Sequence, residues 1–267
     1  MKLIGDKKFY KYVLSVAFPI IIQNGVSSFV SMLDNIMVGR VGTEAMSGVS
    51  IVNQLVFVMM LCFFGAFGGA GILTAQFYGQ KNNEGVRDTF RFKLISGAVL
   101  LTIALVIFIC FDDQLIGLYL HQSDMEGDLE LTLTLAKEYL TITLFGLLPM
   151  MIEMCYSSTL RECGETRLPM IASSIAVFVN LILNWILIFG NLGFPVMGAA
   201  GAALATVISR FVQMIIVITW SHRHRDKTEF TNKVYAHFHI PAKLMWRVLV
   251  LSAPLIVNET LWAAGMA

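Results

Sequence analysis

The chain has 267 residues, of which 57% are hydrophobic and 14% are charged, and its formal net charge is +1. Soluble domains contain about a quarter charged residues, so this composition argues strongly against a water-soluble enzyme. The net charge near zero gives no support for a nucleic-acid partner. A membrane-spanning helix needs about 20 apolar residues, and the length then allows roughly six or seven crossings of a lipid bilayer. We therefore predict an all-α polytopic membrane protein.

Uncharged runs, separated by charged residues, predict the individual spans. In chain order they cover residues 12–33, 45–80, 94–111, 139–160 and 168–209, with Glu153 inside the fourth. The last run is too long for one helix, and the segment 190–195 is expected to break it into spans 5 and 6. Span 6 continues through Arg210 to about Trp220. A seventh span begins at Val248, so we predict six complete spans and the start of another.

Basic and acidic residues lie on opposite sides of this six-span bundle. Most of the 19 Lys and Arg residues lie in the amino-terminal segment and in the loops after spans 2, 4 and 6. The opposite loops carry acidic residues instead, namely Asp112, Asp113, Asp124, Glu126, Asp128 and Glu130. Cytoplasmic loops of membrane proteins are enriched in Lys and Arg. We therefore predict a multi-pass protein of the cytoplasmic (inner) membrane with its amino terminus in the cytoplasm.

Four polar side chains are expected to converge in the outer half of the bundle. A charge within a span is costly, so Asp34 of span 1 is a functional candidate. The helical rise of about 1.5 Å per residue brings Asn180 and Asn184 of span 5 and Thr206 of span 6 to a similar depth. These oxygen-rich groups would suit a bound Na⁺, or proton exchange at Asp34. The alternative is that the amides and the hydroxyl only join helices together.

Three further charges lie within the spans. Glu153 of span 4 and Arg210 of span 6 have opposite charges at similar depths, which predicts a structural intramembrane ion pair rather than a direct transport role. Glu259 lies about 18 Å into span 7, near the midplane. A lone carboxylate at that depth is hard to explain structurally without neighbouring helices. We expect no cofactor, and no metal other than Na⁺ at Asp34.

The start of the sequence reappears near its end. The segment VLSVAFPIII, which opens span 1, aligns with VLVLSAPLIV, which opens span 7. Many secondary transporters consist of repeated helix bundles with the substrate between them. We therefore predict an amino-terminal six-helix lobe (1–220), a basic cytoplasmic inter-lobe loop (221–247) and the first helix of a truncated second lobe (248–267).

Four segments of the sequence carry a family resemblance, namely MLDNIMVGRVGTEAMSGVS, AQFYGQKN, LRECGETRLPM and NLILNWILIFGNLGFPVMGAAGAALATVISR. They resemble the multidrug and toxin extrusion (MATE) family. The resemblance implies a V-shaped transporter of two six-helix lobes, which exports drugs as H⁺ or Na⁺ enters. It also implies that Asp34 is the coupling aspartate, with Asn180 and Thr206 as polar partners and Glu259 as the helix 7 glutamate of some members. Other members have Asp in place of Asn184, which leaves Asp34 as the main titrating group here.

The predicted function is a cation-coupled antiporter that exports drugs and other cationic, amphipathic small molecules. Because one lobe would be missing, the chain is expected to be truncated, or to pair with a separately encoded lobe or with itself. One alternative is a flippase for lipid-linked saccharides, whose cavity should be rich in Arg and Lys. Another is an inactive membrane fragment or scaffold. An intramembrane enzyme is not expected, since neither an HExxH motif nor a paired Asp motif is present.

Overall fold

The computed structural model describes residues 6–122, 128–232, 234–236 and 240–266. These residues form α-helices joined by short connections, and no strand occurs among them. The helices are α1 (Lys7–Gly39), α2 (Thr43–Gly79), α3 (Asn83–Cys110), α4 (Asp112–Gln122), α5 (Leu129–Leu144), α6 (Leu147–Glu162), α7 (Arg167–Phe189), α8 (Gly198–Arg223) and α9 (Ala242–Met266).

The helix lengths agree with six predicted spans. Within the described ranges, α1, α2, α3, α7 and α8 are each long and apolar enough to cross a membrane, and α5 and α6 together can form a sixth crossing. The sequence pattern was wrong about the shape of span 4, which is not a single helix. Instead, α5 and α6 meet at an angle of 49°. Phe145 and Gly146 donate to carbonyls only three residues back, which tightens the last turn of α5 and ends it.

The predicted break between spans 5 and 6 is present. Gly190 ends α7 in the left-handed conformation, with φ of 70°, which glycine adopts without steric penalty. Beyond a short 3-10 turn, α8 runs back along α7. A Cβ on Gly201 would lie 2.7 Å from the carbonyl oxygen of Leu187. Glycine at this position therefore allows the two helices to pack closely.

Helix α2 lies at the centre of the bundle and contacts α3, α5, α6 and α9. Its contact with α9 depends on glycines, because a Cβ on Gly65 would lie 2.9 Å from Ile256 Cγ1 and one on Gly69 would lie 2.2 Å from Ser252 Oγ. Ser252 Oγ also donates to the carbonyl of Ala66 at 3.2 Å. The seventh span therefore packs against the lobe through a small-residue face.

One end of the bundle, here called the acidic end, contains the start of α4 and the start of α5. Lys137 Nζ lies 2.5 Å from Asp113 Oδ1 and 3.9 Å from Asp112 Oδ2. Asp128 caps α5 by accepting hydrogen bonds from the backbone of Glu130 and Leu131. The predicted acidic loop is therefore partly helical. Asp124 and Glu126 lie outside the described residues.

The opposite end, here called the basic end, contains an ion pair that the sequence analysis did not predict. Lys93 was expected in the loop after span 2, but α3 begins at Asn83 and contains it. Its side chain is fully buried, with Nζ 2.6 Å from Glu162 Oε2. Nζ also donates to the hydroxyls of Ser158 and Thr159 at 3.0 and 3.1 Å. These partners allow the ammonium group to lie inside the bundle.

The segment that follows α8 packs against the basic end of the bundle. Phe230 is 3% exposed and its ring centroid lies 5.2 Å from that of Phe90 in α3. Arg91 Nε donates to the carbonyl of Val234 at 2.9 Å. The first part of the predicted inter-lobe loop is therefore fixed to α3 by apolar burial and a hydrogen bond.

Candidate functional site

The structure brings together the four polar residues expected in the outer half of the bundle. Asp34 lies on α1, Asn180 and Asn184 on α7, and Thr206 on α8. A cavity of about 370 Å³ opens beside them. Its lining residues are Ser31, Asp34, Asn35, Val38, Val49, Asn53, Tyr139, Asn184, Ala202 and Thr206.

A chain of hydrogen bonds joins these side chains. Asn184 Nδ2 donates to Asp34 Oδ1 at 2.6 Å and to Asn180 Oδ1 at 3.2 Å. Asn180 Nδ2 donates in turn to Thr206 Oγ1 at 3.3 Å. The short bond to Asp34 favours a charged carboxylate, because hydrogen bonds to ionised acceptors are stronger than neutral ones. The i, i+4 spacing of the two asparagines accounts for their shared face.

The Asn180 amide can also donate hydrogen bonds directly to Asp34 when its oxygen and nitrogen are exchanged. With the amide turned over, its Nδ2 lies 3.1 Å from both Asp34 oxygens, and its Oδ1 accepts from Thr206 Oγ1 at 3.3 Å. The carboxylate then accepts hydrogen bonds from both asparagines of α7.

One oxygen in the site has no hydrogen-bond donor. Asn184 is 1% exposed, and its Oδ1 has no partner among the described residues. A buried carbonyl oxygen without a partner costs free energy unless a ligand or water satisfies it. Carboxylate, amide and hydroxyl oxygens are ligands for hard cations. The chemistry of the site therefore suits a bound cation next to Asp34.

Several polar residues of this site were missed by the sequence analysis, among them Tyr139 and Asn53. Tyr139 of α5 is 4% exposed, and its hydroxyl donates to Asn53 Oδ1 of α2 at 3.4 Å. Tyr139 lines the same cavity as Asp34. Asn53 could have been found as a polar residue within a long apolar run. Tyr139 could not, because tyrosine is common at the ends of membrane spans.

The predicted ion pair between Glu153 and Arg210 does not form in this structure. Glu153 of α6 accepts a hydrogen bond from Ser157 and faces a different cavity, beside α1 and α2. Arg210 of α8 lies at the break between α5 and α6, next to Gly146, and its Nη1 is buried without a hydrogen-bond partner. The ion pair was predicted because the two residues lie at similar depths. Depth does not determine which way each side of a helix faces.

Glu259, the other predicted site residue, lies on α9. Its side chain is outside the described part of the structure.

Comparisons with known proteins agree with this architecture. The MatE family model matches residues 19–186. "Probable multidrug resistance protein NorM" of Thermotoga maritima is 34% identical over 202 residues, which are 76% of this chain and 42% of that protein. "Probable multidrug resistance protein YoeA" of Bacillus subtilis is 26% identical over 248 residues, which are 91% of this chain and 51% of that protein.

A solved structure, "Crystal structure of MATE in the bent conformation", has the same fold. It matches with a TM-score of 0.79 at 22% identity, covering 96% of this chain and 54% of that one. The chain therefore spans about half the length of the relatives that it matches.

Proposed function

The chain belongs to the multidrug and toxin extrusion (MATE) family of membrane transporters, and we propose that it forms the amino-terminal lobe of a cation-coupled antiporter. The exported substrates would be small cationic or amphipathic molecules. The observation that carries the proposal is the hydrogen-bonded Asp34 in a cavity inside the lobe. An ionisable group at this depth is costly in free energy, so its presence favours a functional role.

The proposed coupling step is neutralisation of Asp34 by H⁺ or Na⁺. With the carboxylate charged, Asn184 holds α1 against α7 through a hydrogen bond of 2.6 Å. A bound proton or cation weakens that bond, because the acceptor loses its net charge. Helix α1 can then repack, and the transporter shifts between two states that bind the substrate differently. The shift is limited by the difference in cation affinity between those states.

A different feature of the site supports each candidate coupling ion. The unpartnered oxygen of Asn184 and the carboxylate of Asp34 offer oxygen ligands for Na⁺. The amides of Asn180 and Asn184, which both come within hydrogen-bond distance of the Asp34 oxygens, can respond to protonation of the carboxylate. The geometry is compatible with both ions, and the experiment below separates them.

We also propose that the basic end of the bundle faces the cytoplasm, as the positive-inside rule favours. Transport would need a second six-helix lobe, on the same polypeptide or on another one. Helix α9, which packs on α2 through Gly65 and Gly69, would be the first helix of that lobe.

The test is efflux of ethidium from cells that produce the complete two-lobe protein, with imposed Na⁺ or pH gradients. We expect Asp34→Asn to abolish the response to one gradient. Glu130→Gln, which removes an exposed carboxylate at the acidic end, should leave it unchanged. Efflux at full strength in the Asp34→Asn variant would contradict the proposal. Loss of efflux in every variant and in the parent would favour an inactive fragment.

The flippase alternative receives less support from the cavity linings. A site for a polyanionic, lipid-linked saccharide should present several Arg or Lys side chains. The Asp34 cavity is lined by none, and the cavity beside Glu153 has Arg161 together with two glutamates.

A further inference from the structure

The break between α5 and α6 adjoins a guanidinium that no described ion pair includes. A Cβ on Gly146, at the break, would lie 3.2 Å from Arg210 Nη1 of α8 and 3.2 Å from the carbonyl oxygen of Thr143. That nitrogen is buried and has no hydrogen-bond partner among the described residues. None of the ion pairs within 4 Å in the described ranges involves Arg210. A buried cation without a partner costs free energy, so a compensating group is expected beside it.

Thr143 is a second unsatisfied group at the same level of the bundle. Tyr139 of α5 and Thr206 of α8 line the Asp34 cavity. Thr143 and Arg210 each lie four residues further along the same two helices, or about 6 Å toward the basic end. Thr143 is 2% exposed, and its Oγ1 has no hydrogen-bond partner in the part of the chain that the structure describes. A hydroxyl and a guanidinium, one from each helix, therefore lack an acceptor in the same region.

The first turn of α6 adds backbone donors at this point. Helix α6 begins at Leu147, directly after Gly146, and the side chain of the preceding residue does not cap it. The first amides of a helix have no acceptor within that helix, and the helix dipole makes this end positive. Both residues are buried, so the inner side of the break is shielded from solvent. In discontinuous membrane helices, the starts of such half-helices point at anionic groups.

The ionisable side chains nearby do not supply the missing negative charge. Glu153 of α6 has Gln213 as a hydrogen-bond partner and interacts with Arg161. Asp34 lies about one helical turn nearer the acidic end, where amides of α7 already donate to it. A tyrosine phenol such as that of Tyr139 is neutral near pH 7. The break between α5 and α6 therefore keeps an excess of positive charge.

We propose that this break binds a small monovalent anion, chloride under physiological conditions, between Arg210, Thr143 and the first turn of α6. The guanidinium supplies the opposite charge, and the hydroxyl and the amides of α6 supply further donors. Glycine at position 146 leaves the space beside Nη1 free of a side chain. Because Val207 Cγ2 lies 3.1 Å from the Cβ position of Gly146, only a compact ion fits there. The anion site is separate from the cation site at Asp34.

The first experiment measures the melting temperature of the purified full chain in detergent. The solutions contain NaCl, NaBr or sodium gluconate at the same concentration, so that the Na⁺ concentration is constant. An anion that binds only the folded protein raises its melting temperature. We expect the value in chloride to exceed that in gluconate by about 3 °C, as for an anion at roughly ten times its Kd. Bromide should replace chloride.

A second experiment locates the ion without any substitution. Bromide scatters X-rays anomalously, so crystals of the full chain grown in NaBr reveal its position. We expect an anomalous difference peak within hydrogen-bond reach of Arg210 Nη1 and Thr143 Oγ1.

Variants separate binding at this site from general effects of salt on the protein surface. Arg210→Gln should abolish the difference between chloride and gluconate, and Thr143→Val should reduce it. Gly146→Ala leaves the charge in place but puts a methyl group 3.2 Å from Nη1, and should also reduce it. The matched controls are Arg223→Gln, at an exposed position of α8, and Thr141→Val, whose hydroxyl already donates to a backbone carbonyl. Both controls should melt with the full difference.

Three results would overturn the inference. The first is an equal melting temperature of the parent protein in chloride and gluconate. The second is a bromide map without a peak at Arg210. The third is the full salt difference in Arg210→Gln, since a surface effect would give that pattern. Asp34→Asn should retain the chloride effect, so failure of the cation-coupling proposal and failure of the anion site are separate outcomes.

Discussion

Asn184 Nδ2 donates to Asp34 Oδ1 at 2.6 Å, although the two residues are 150 positions apart in the sequence. The bond joins α7 to α1, which are in contact along the bundle. Both partners line one cavity, and the side-chain oxygen of Asn184 has no hydrogen-bond partner among the described residues. One side chain therefore holds the carboxylate in place and also offers a possible ligand to an incoming cation.

Replacement of Asn184 by Leu should remove both contributions. Leucine offers no oxygen ligand in place of Asn184 Oδ1, so the affinity of the site for Na⁺ should fall, about tenfold for each 1.4 kcal/mol of lost ligand free energy. A cation that binds only the native protein raises its melting temperature. Thermal unfolding in detergent, measured over an Na⁺ series at constant ionic strength, should therefore show a weaker response in the variant.

Asn191→Ala is the matched control for that experiment. It also removes a side-chain amide, but one that bonds the carbonyl of Trp185 in the connection after α7. Its response to Na⁺ should equal that of the parent. An unchanged response in Asn184→Leu would show that the cation does not bind beside this residue.

The clustering of Asp34 with its polar neighbours could be predicted from the sequence, for a physical reason. A carboxylate or amide in an apolar run stands out, and the fixed rise of a helix converts its position into a depth. Depth is one coordinate, and the rotation of each helix is another. Glu153 and Arg210 have similar depths but face different neighbours, so the same reasoning predicted an ion pair that the structure lacks.

Other features depended on contacts that a single sequence does not reveal. Lys93 was assigned to a loop because a lysine normally ends an apolar run, whereas its burial depends on Glu162, 69 residues later. The bend between α5 and α6 depends on local backbone hydrogen bonds at Phe145 and Gly146 rather than on composition. The six-span architecture could be predicted because it follows from hydrophobic length alone.

The Lys93–Glu162 pair gives a prediction about stability. Lys93→Met alone leaves the carboxylate of Glu162 without its cation, and breaking a buried pair in this way costs about 3–5 kcal/mol. Because Glu162 is 19% exposed at its side chain, we expect a loss at the low end of that range. The double variant Lys93→Met, Glu162→Met should recover most of it. Unfolding by SDS in mixed micelles measures the stability of the single and double variants. A double variant that is less stable than either single variant would contradict the prediction.

Glu153 and Arg210 should behave independently of each other. Because no ion pair joins them in the structure, the effects of Glu153→Gln and Arg210→Gln on the free energy of unfolding should add to within about 0.5 kcal/mol. The Lys93 and Glu162 variants, measured in the same micelles, supply the matched case of a coupled pair. A coupling energy of about 1 kcal/mol or more would instead indicate that the two side chains interact.

Close packing of α9 on α2 should depend on Gly69. A Cβ at this position would lie 2.2 Å from Ser252 Oγ and 2.6 Å from the backbone nitrogen of Ser252, so Gly69→Val must push the helices apart. In a background without the native cysteines, Ala66→Cys and Ser252→Cys should form a disulfide efficiently, and Gly69→Val should abolish most of it. Gly25→Val on α1 is the control, because a Cβ there meets nothing within 4 Å. Equal cross-linking in both valine variants would mean that α9 does not depend on this face of α2, and that the seventh helix is held to the lobe by other contacts.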